Sequence, residues 1–261
     1  MAFDFHKDRN KYFYLQYNNS RDYILPFIQK YKKIKSKEKV LEIGCRDGGV
    51  LKPFIDLSCE CFGVDLSKKH ISDAKKIYEK EIKNNQVHFF VQDIYDFINE
   101  NKDKEKFDII ILKDVIEHIF DHKKLIQNVK KILKKNACIY LGFPPWQNPY
   151  GGHQQVCKNK FLSLMPYYHI LPNFIYFYLI KNDPSFLFLK DTKNTKITPS
   201  IFEKIIKKEN FEILYRDMYF ISPMYKYKFG LKPRKLWKLL ENIPYLRNFF
   251  TTTCDYLIKI K

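Results

Sequence analysis

Short, mostly apolar runs alternate with longer amphipathic segments through the first half of the chain. The runs fall at 40–44, 61–65, 87–91, 107–112 and 138–143. The segments between them, 48–57, 67–80, 95–99 and 121–135, carry apolar residues at helical spacing. Nearly continuous apolar strands joined by helical connections predict a parallel sheet covered on both faces. Ahead of the first strand an amphipathic helix is predicted over about 8–31, followed by a lysine-rich link through Lys39.

After Phe143 the rhythm breaks. Pro144, Pro145, Pro149 and Gly151-Gly152 mark a loop, and an aromatic-rich insertion follows to about residue 197. Thr198 suits a helix N-cap and Pro199 its first turn, predicting a helix to about 209. A strand at 211–221, a helix at 233–241 and a last strand at 251–260 complete the pattern. The expectation is a single α/β domain with a doubly wound, mostly parallel seven-stranded sheet. Residues 1–39 cap it, 40–143 form the core, 144–197 form a lid inserted after the fifth strand, and 198–261 add a helix and an antiparallel strand pair. That closing pair departs from the plain dinucleotide-binding layout.

The chemistry gathers where strands end. The first strand runs into Glu42-Ile43-Gly44-Cys45-Arg46-Asp47-Gly48-Gly49, an acid followed by a glycine-rich turn. Glycine lets a backbone approach a ligand closely, and at the carboxyl edge of a sheet such a turn makes a crevice for a nucleoside-like cofactor. The second strand ends in Gly63-Val64-Asp65-Leu66-Ser67, where Asp65 can accept both hydroxyls of a ribose. Asp93, after the third strand, can accept an adenine amino group. Each acid could equally cap a helix. A dehydrogenase turn seats a pyrophosphate on a helix N-terminus, and Asp47 would repel that anion. A sulfonium cofactor gains from Glu42 and Asp47.

These segments resemble the class I S-adenosylmethionine-dependent methyltransferases over about 40–143. The resemblance rests on Leu41-Glu42-Ile43-Gly44-Cys45, Gly63-Val64-Asp65, Gln92-Asp93, Phe107-Asp108-Ile109-Ile110 and Asp114-Val115-Ile116-Glu117-His118-Ile119. The last is similar to the type 11 group, which includes quinone-precursor methyltransferases. The resemblance implies S-adenosylmethionine as cofactor, with Glu42, Gly44 and Gly48 shaping its methionine end and Asp65 holding its ribose. Asp93 and Ile94 would bracket the adenine, and Lys113 and Asp114 would sit below the sulfonium. Cys45 and Leu66 belong to the same turns and are assigned with them. Where the family pattern has a glycine two residues after Gly44, this chain has Arg46, which either crowds the turn or swings outward.

For a hydroxyl acceptor a histidine is the usual base. His118 follows the fourth strand and His153 the fifth; Gln154 and Gln155 beside His153 offer further polar contacts to a substrate. His118 could instead pack at a helix start. No metal site is assigned, although Asp114, Glu117 and His118 form one short cluster with ligand chemistry. Phe143-Pro144-Pro145-Trp146 lacks the Asp or Asn that would hold an exocyclic amine, which argues against a base-modifying enzyme.

The chain carries 47 basic against 29 acidic residues, a formal charge of +18. Only Arg9, Arg21, Arg46, Arg216, Arg234 and Arg247 are arginines; the lysines spread over helix faces, so nucleic acid is not the expected partner. Residues 161–180 carry no charge, but Pro166 and Pro172 would break a spanning helix. The segment reads as an aromatic lid or as a patch that touches anionic lipid from one side. No export leader is evident and the cysteines show no metal-ligand rhythm, so a cytoplasmic or membrane-peripheral location is expected. The reading is methyl transfer to a small-molecule hydroxyl, such as a sugar or a cell-surface or lipid-linked precursor. The alternatives are a methyltransferase-fold binding protein without turnover and an RNA methyltransferase.

Overall fold

The computed structural model describes residues 9–261. Its sheet is built from β1 (Lys39–Ile43), β2 (Glu60–Asp65), β3 (Val87–Val91), β4 (Phe107–Lys113), β5 (Leu133–Phe143), β6 (Phe211–Ile221), β7 (Arg234–Lys235) and β8 (Thr253–Ile260). The strand order is β3-β2-β1-β4-β5-β8-β6-β7. β1 to β5 pair in parallel, whereas β8 lies antiparallel between β5 and β6. The order reverses between β1 and β4, and such a switch point opens a crevice at the carboxyl ends of the strands.

Successive side chains of a strand point to opposite faces, and here both faces are apolar. Leu41, Ile43, Ile110, Leu112, Ile139 and Leu141 enter one core layer with Phe97, Leu125 and Phe202. Val40, Cys61, Ile109, Ile111, Cys138 and Tyr140 enter the other with Phe27, Phe54 and Tyr78. Thr198 caps the helix Pro199–Lys208 by accepting from the Ile201 N–H at 3.2 Å, as its sequence predicts. All six cysteines are buried and unpaired.

Several boundaries differ from the sequence reading. Asp8 lies outside the described residues. The N-terminal helix comprises Arg9–Asn19, a π-helical Ser20–Ile24 and Leu25–Gln29; Pro26, which has no N–H to donate, sits just after the widened turn. The helix expected from Gly48 begins only at Lys52. The helix expected to reach residue 135 ends at Lys130, and β5 starts at Leu133 opposite Phe107. Its Lys134, Lys135 and Asn136 are outside the core, so this part of the strand has a polar sequence. The sheet has eight strands rather than seven, because Arg234 and Lys235 add to the edge of β6 where a helix was expected. The Leu236 N–H donates to the Met218 carbonyl at 2.8 Å and its side chain is buried, fixing the edge. Only Lys238–Glu241 is helical there.

The insertion folds as the short helices Lys160–Leu164, Asn173–Ile180 and Phe186–Thr195 around a small core of Cys157, Leu162, Tyr168, Tyr176, Ile180 and Leu189. Among the described residues, no helix is long and apolar enough to cross a membrane.

Candidate active site

A cleft of about 1250 Å³ lies over the carboxyl ends of β1, β2 and β4. The turn after β1 forms its floor. Gly44 has φ +72°, and an added Cβ would stand 2.5 Å from Val115 Cγ2. A side chain is therefore excluded twice, by backbone conformation and by contact. Gly48 also has positive φ, but its place is behind the turn, where its carbonyl accepts from the Tyr78 hydroxyl at 2.8 Å; Gly49 and Val50 line the cleft instead. Cys45 lines the cleft and is buried beside Gly63.

Glu42 in β1 and Asp47 in the turn are buried carboxylates outside any ion pair among the described residues. Glu42 Oε2 and Asp47 Oδ1 have no hydrogen-bond partner among the described residues. Burial pushes the Glu42 carboxyl well above its ordinary range, and Asp47 nearby adds to the effect. Burial raises Asp47 as well. An uncompensated buried acid resists ionisation, and a cation placed in the cleft would relieve both groups.

Asp65 is held ready at the end of β2. Its Oδ2 accepts from the Arg46 N–H at 2.9 Å and its Oδ1 from the Ser67 N–H at 2.8 Å. Each oxygen has capacity for a further hydrogen bond, and the residue lines the cleft, as a vicinal diol would require. Leu66 is 72% exposed beside it. Asp93 does cap the helix Ile94–Asn101, accepting from the Tyr95 N–H at 2.7 Å, and with Ile94 it lines the same wall. Capping and ligand contact are compatible here.

Arg46 adopts the left-handed conformation, φ +49°. Its guanidinium lies over the Tyr12 ring at 4.5 Å, and both side chains line the cleft. Lys113, at the end of β4, pairs with Asp114. Burial works against its ammonium, but Asp114, Tyr12 and Asp255 together outweigh burial and raise its pKa.

On the far side of the cleft, His118 and His153 meet with ring centroids 4.8 Å apart. Phe188 of the insertion lies 5.8 Å from the His118 ring and 6.0 Å from that of His153. His153 Nε2 has no hydrogen-bond partner among the described residues, and burial lowers the imidazole pKa to about 4. Glu117 joins the two histidines: its carboxylate and their ring nitrogens all lie within 4.8 Å of one another. The trio Asp114, Glu117 and His118 suggested by spacing is thus replaced by Glu117, His118 and His153, since Asp114 turns to Lys113. One oxygen and two imidazoles are a set that borderline divalent metals accept.

The family model described as "Methyltransferase domain" matches residues 34–173, more than half of the chain. The chain belongs to this methyltransferase family. Among curated proteins the methyltransferase is 32% identical over 125 residues to the ubiquinone biosynthesis O-methyltransferase of Pelagibacter ubique, covering 46% of this chain and 50% of that one. It is 30% identical over 108 residues to the protein of the same name from Glaesserella parasuis, covering 40% and 44%. It spans about half the length of these relatives. Among solved structures it is similar to an S-adenosylmethionine-dependent methyltransferase from Clostridium acetobutylicum, with a TM-score of 0.57 at 14% identity over 94% of this chain and 92% of that one. It is also similar to magnesium protoporphyrin IX methyltransferase from Synechocystis with bound SAH, with a TM-score of 0.56 at 14% identity over 95% and 84%. At these identities the structural likeness establishes the fold.

In this methyltransferase the cleft gathers Glu42, Gly44, Cys45, Asp65, Leu66, Asp93, Ile94, Lys113, Asp114, His118 and His153. Gln154 stands apart from the expected substrate contacts: it is fully buried and its amide donates to the carbonyls of Pro149 and Met165. Gln155 does line the cleft. Sequence reasoning missed Tyr12 and Gln16 of the N-terminal helix, and Phe188, Asp191 and Thr192 of the insertion. Nothing in their local pattern separates them from other amphipathic positions.

Proposed function

We propose that the chain transfers a methyl group from S-adenosylmethionine to a hydroxyl of a small aromatic acceptor. The observation that carries this reading is the pair of buried carboxylates, Glu42 and Asp47, each with one oxygen that lacks a hydrogen-bond partner among the described residues, on the same cleft as Asp65. A cofactor with a sulfonium, an ammonium and a ribose diol complements that set. Gly44 supplies the close backbone approach.

When bound, the cofactor supplies an activated methyl group. The protein's part is to align the acceptor and exclude water. Asp65 fixes the ribose end, and Asp93 and Ile94 flank the adenine. His153, neutral and with a free ring nitrogen, takes the acceptor's hydroxyl hydrogen bond and then its proton as the oxygen is methylated. Phe188 and Phe229 close the acceptor side. The names of the curated relatives favour a quinone-precursor hydroxyl, and they give a sugar or lipid-linked acceptor no support.

Incubation with methyl-labelled cofactor and separate panels of phenols and sugars tests the reading. Label should enter phenolic hydroxyls. Cofactor binding without transfer to any hydroxyl compound would favour a binding protein.

A second reading concerns location and can hold alongside the first. Phe174 and Tyr178 stand one helical turn apart on Asn173–Ile180, exposed by 76% and 68%, and Lys181 lies over the Tyr178 ring at 4.3 Å. Aromatic rings beside lysine suit a headgroup boundary. Sedimentation with phosphatidylglycerol vesicles but not phosphatidylcholine vesicles, abolished by Phe174→Ser, would support it; equal behaviour on both would refute it.

A further inference from the structure

A smaller chamber opens off the cofactor cleft. It measures about 170 Å³ and is bounded by Lys113, Asp114, Tyr140, Asp255, Tyr225 and Lys228. Lys113, Asp114, Tyr225 and Lys228 also line the main cleft, so the chamber is its annex. A cavity of roughly 150 Å³ accepts a benzene ring. The chamber therefore has room for one six-membered ring placed beyond the cofactor.

Its charge is unbalanced. Lys113 is already paired with Asp114. Lys228, near the end of the helix Met224–Phe229, is half-buried and has no ion pair or hydrogen bond among the described residues. Burial, followed by the nearby charges of Lys113 and Arg46, lowers its pKa to about 8, and Asp114 is the acid that opposes them. Asp255 adds at most part of a charge, because burial pushes its carboxyl up to about 7. Arg46 also has no carboxylate partner among the described residues. A partly desolvated ammonium without a counter-ion is costly, and an anion brought by a ligand removes that cost.

We propose that the chamber is an anion subsite, in which a one-ring acceptor presents a carboxylate or phosphate to Lys228 while its hydroxyl faces the cleft. This rests on the methyltransferase reading above. It narrows the acceptor class to hydroxylated rings that carry an acidic substituent. Tyr140 and Tyr225 line the chamber and can flank the ring.

The test uses the full chain saturated with S-adenosylhomocysteine and titrated calorimetrically with protocatechuate, catechol and inorganic phosphate. Protocatechuate and catechol differ only in the carboxylate. Protocatechuate should bind at least tenfold more tightly than catechol, and phosphate should compete with it. Lys228→Met should erase the preference, Lys228→Arg should keep it, and Lys232→Met, a change at an exposed lysine, should leave it unchanged. S-adenosylhomocysteine affinity should stay within twofold throughout. Equal binding of the two rings, binding of none of the three probes, or a preference that survives Lys228→Met would overturn the proposal. Weakened S-adenosylhomocysteine binding by Lys228→Met would overturn it too, assigning the lysine to the cofactor's own carboxylate. If the wild-type chain fails to bind S-adenosylhomocysteine, the methyltransferase reading itself fails, and the two failures are thereby distinguished.

Discussion

The rings of His118 and His153 lie 4.8 Å apart, although one follows β4 and the other β5. β4 and β5 are adjacent and parallel, so the loops leaving them reach the same edge of the sheet. His153 is held there in the left-handed conformation, φ +54°, with its N–H donating to the Tyr150 carbonyl at 3.0 Å.

His153→Ala is expected to lower turnover by about 100-fold or more, the usual scale for a lost general base, with little change in cofactor affinity. Because burial lowers its pKa from 6.5 to about 4, the imidazole is neutral across pH 6–8. The acid limb of kcat/KM should therefore lie near pH 4. Dialysis against a chelator separates base from ligand: unchanged turnover supports the base, whereas loss restored by added manganese would make His153 a metal ligand with Glu117 and His118.

Cofactor binding should release protons. Burial raises the pKa of both Glu42 and Asp47 in the free protein. A sulfonium and an ammonium in the cleft lower both pKa values, and the protons leave. Calorimetry in buffers of different ionisation enthalpy should show release with S-adenosylmethionine and less with S-adenosylhomocysteine, which lacks the sulfonium charge. Proton uptake would contradict the assignment.

Glu42→Gln removes one of these acids while keeping its shape. The free protein should gain thermal stability, since a buried acid without a partner is replaced by a neutral group. Affinity for S-adenosylmethionine should fall roughly tenfold, or about 1.4 kcal/mol. Lower stability with unchanged affinity would mean that Glu42 serves the fold alone.

Acid should destabilise the chain through its buried histidines. His169 is fully buried, its Nε2 is 2.8 Å from the Trp146 carbonyl oxygen, and burial lowers its pKa from 6.5 to about 4. Between those values the unfolded chain binds the proton and the folded chain does not, so stability falls as pH drops. The loss begins near pH 6.5 and is complete below about pH 4. The thermal midpoint measured across this window should fall less steeply in His169→Gln than in the parent.

The alternation of buried strands and amphipathic helices made the sheet legible, because Ile109 to Leu112 and their neighbours point into two apolar layers. The cofactor wall was legible for a related reason: Glu42 and Asp65 end their strands, so chain position alone puts them at the carboxyl edge. What escaped was set through space. The polar start of β5 is defined by pairing with Phe107, and β7 by two residues added to an edge. Arg46 in the turn after β1 stacks on Tyr12, a partner from the N-terminal helix. Gln154 resembled a substrate contact beside His153 until its amide was engaged by the carbonyls of Pro149 and Met165.

Gly44→Ala tests the floor of the cleft. The new Cβ would meet Val115 Cγ2 and force a strained backbone at φ +72°. A loss of about 1–3 kcal/mol in stability is expected from such strain, read from denaturant unfolding. Val115→Ala in the same chain should recover only part of it, because the backbone strain remains.

The most direct measurement is the affinity of S-adenosylhomocysteine for the parent chain and for Asp65→Ala, by calorimetry at one pH. Asp65 has both oxygens anchored by backbone N–H groups and lines the cleft. The parent should bind with micromolar affinity and the variant at least tenfold more weakly, with unchanged circular dichroism. Equal affinity in the two chains would place the ribose elsewhere and contradict the account.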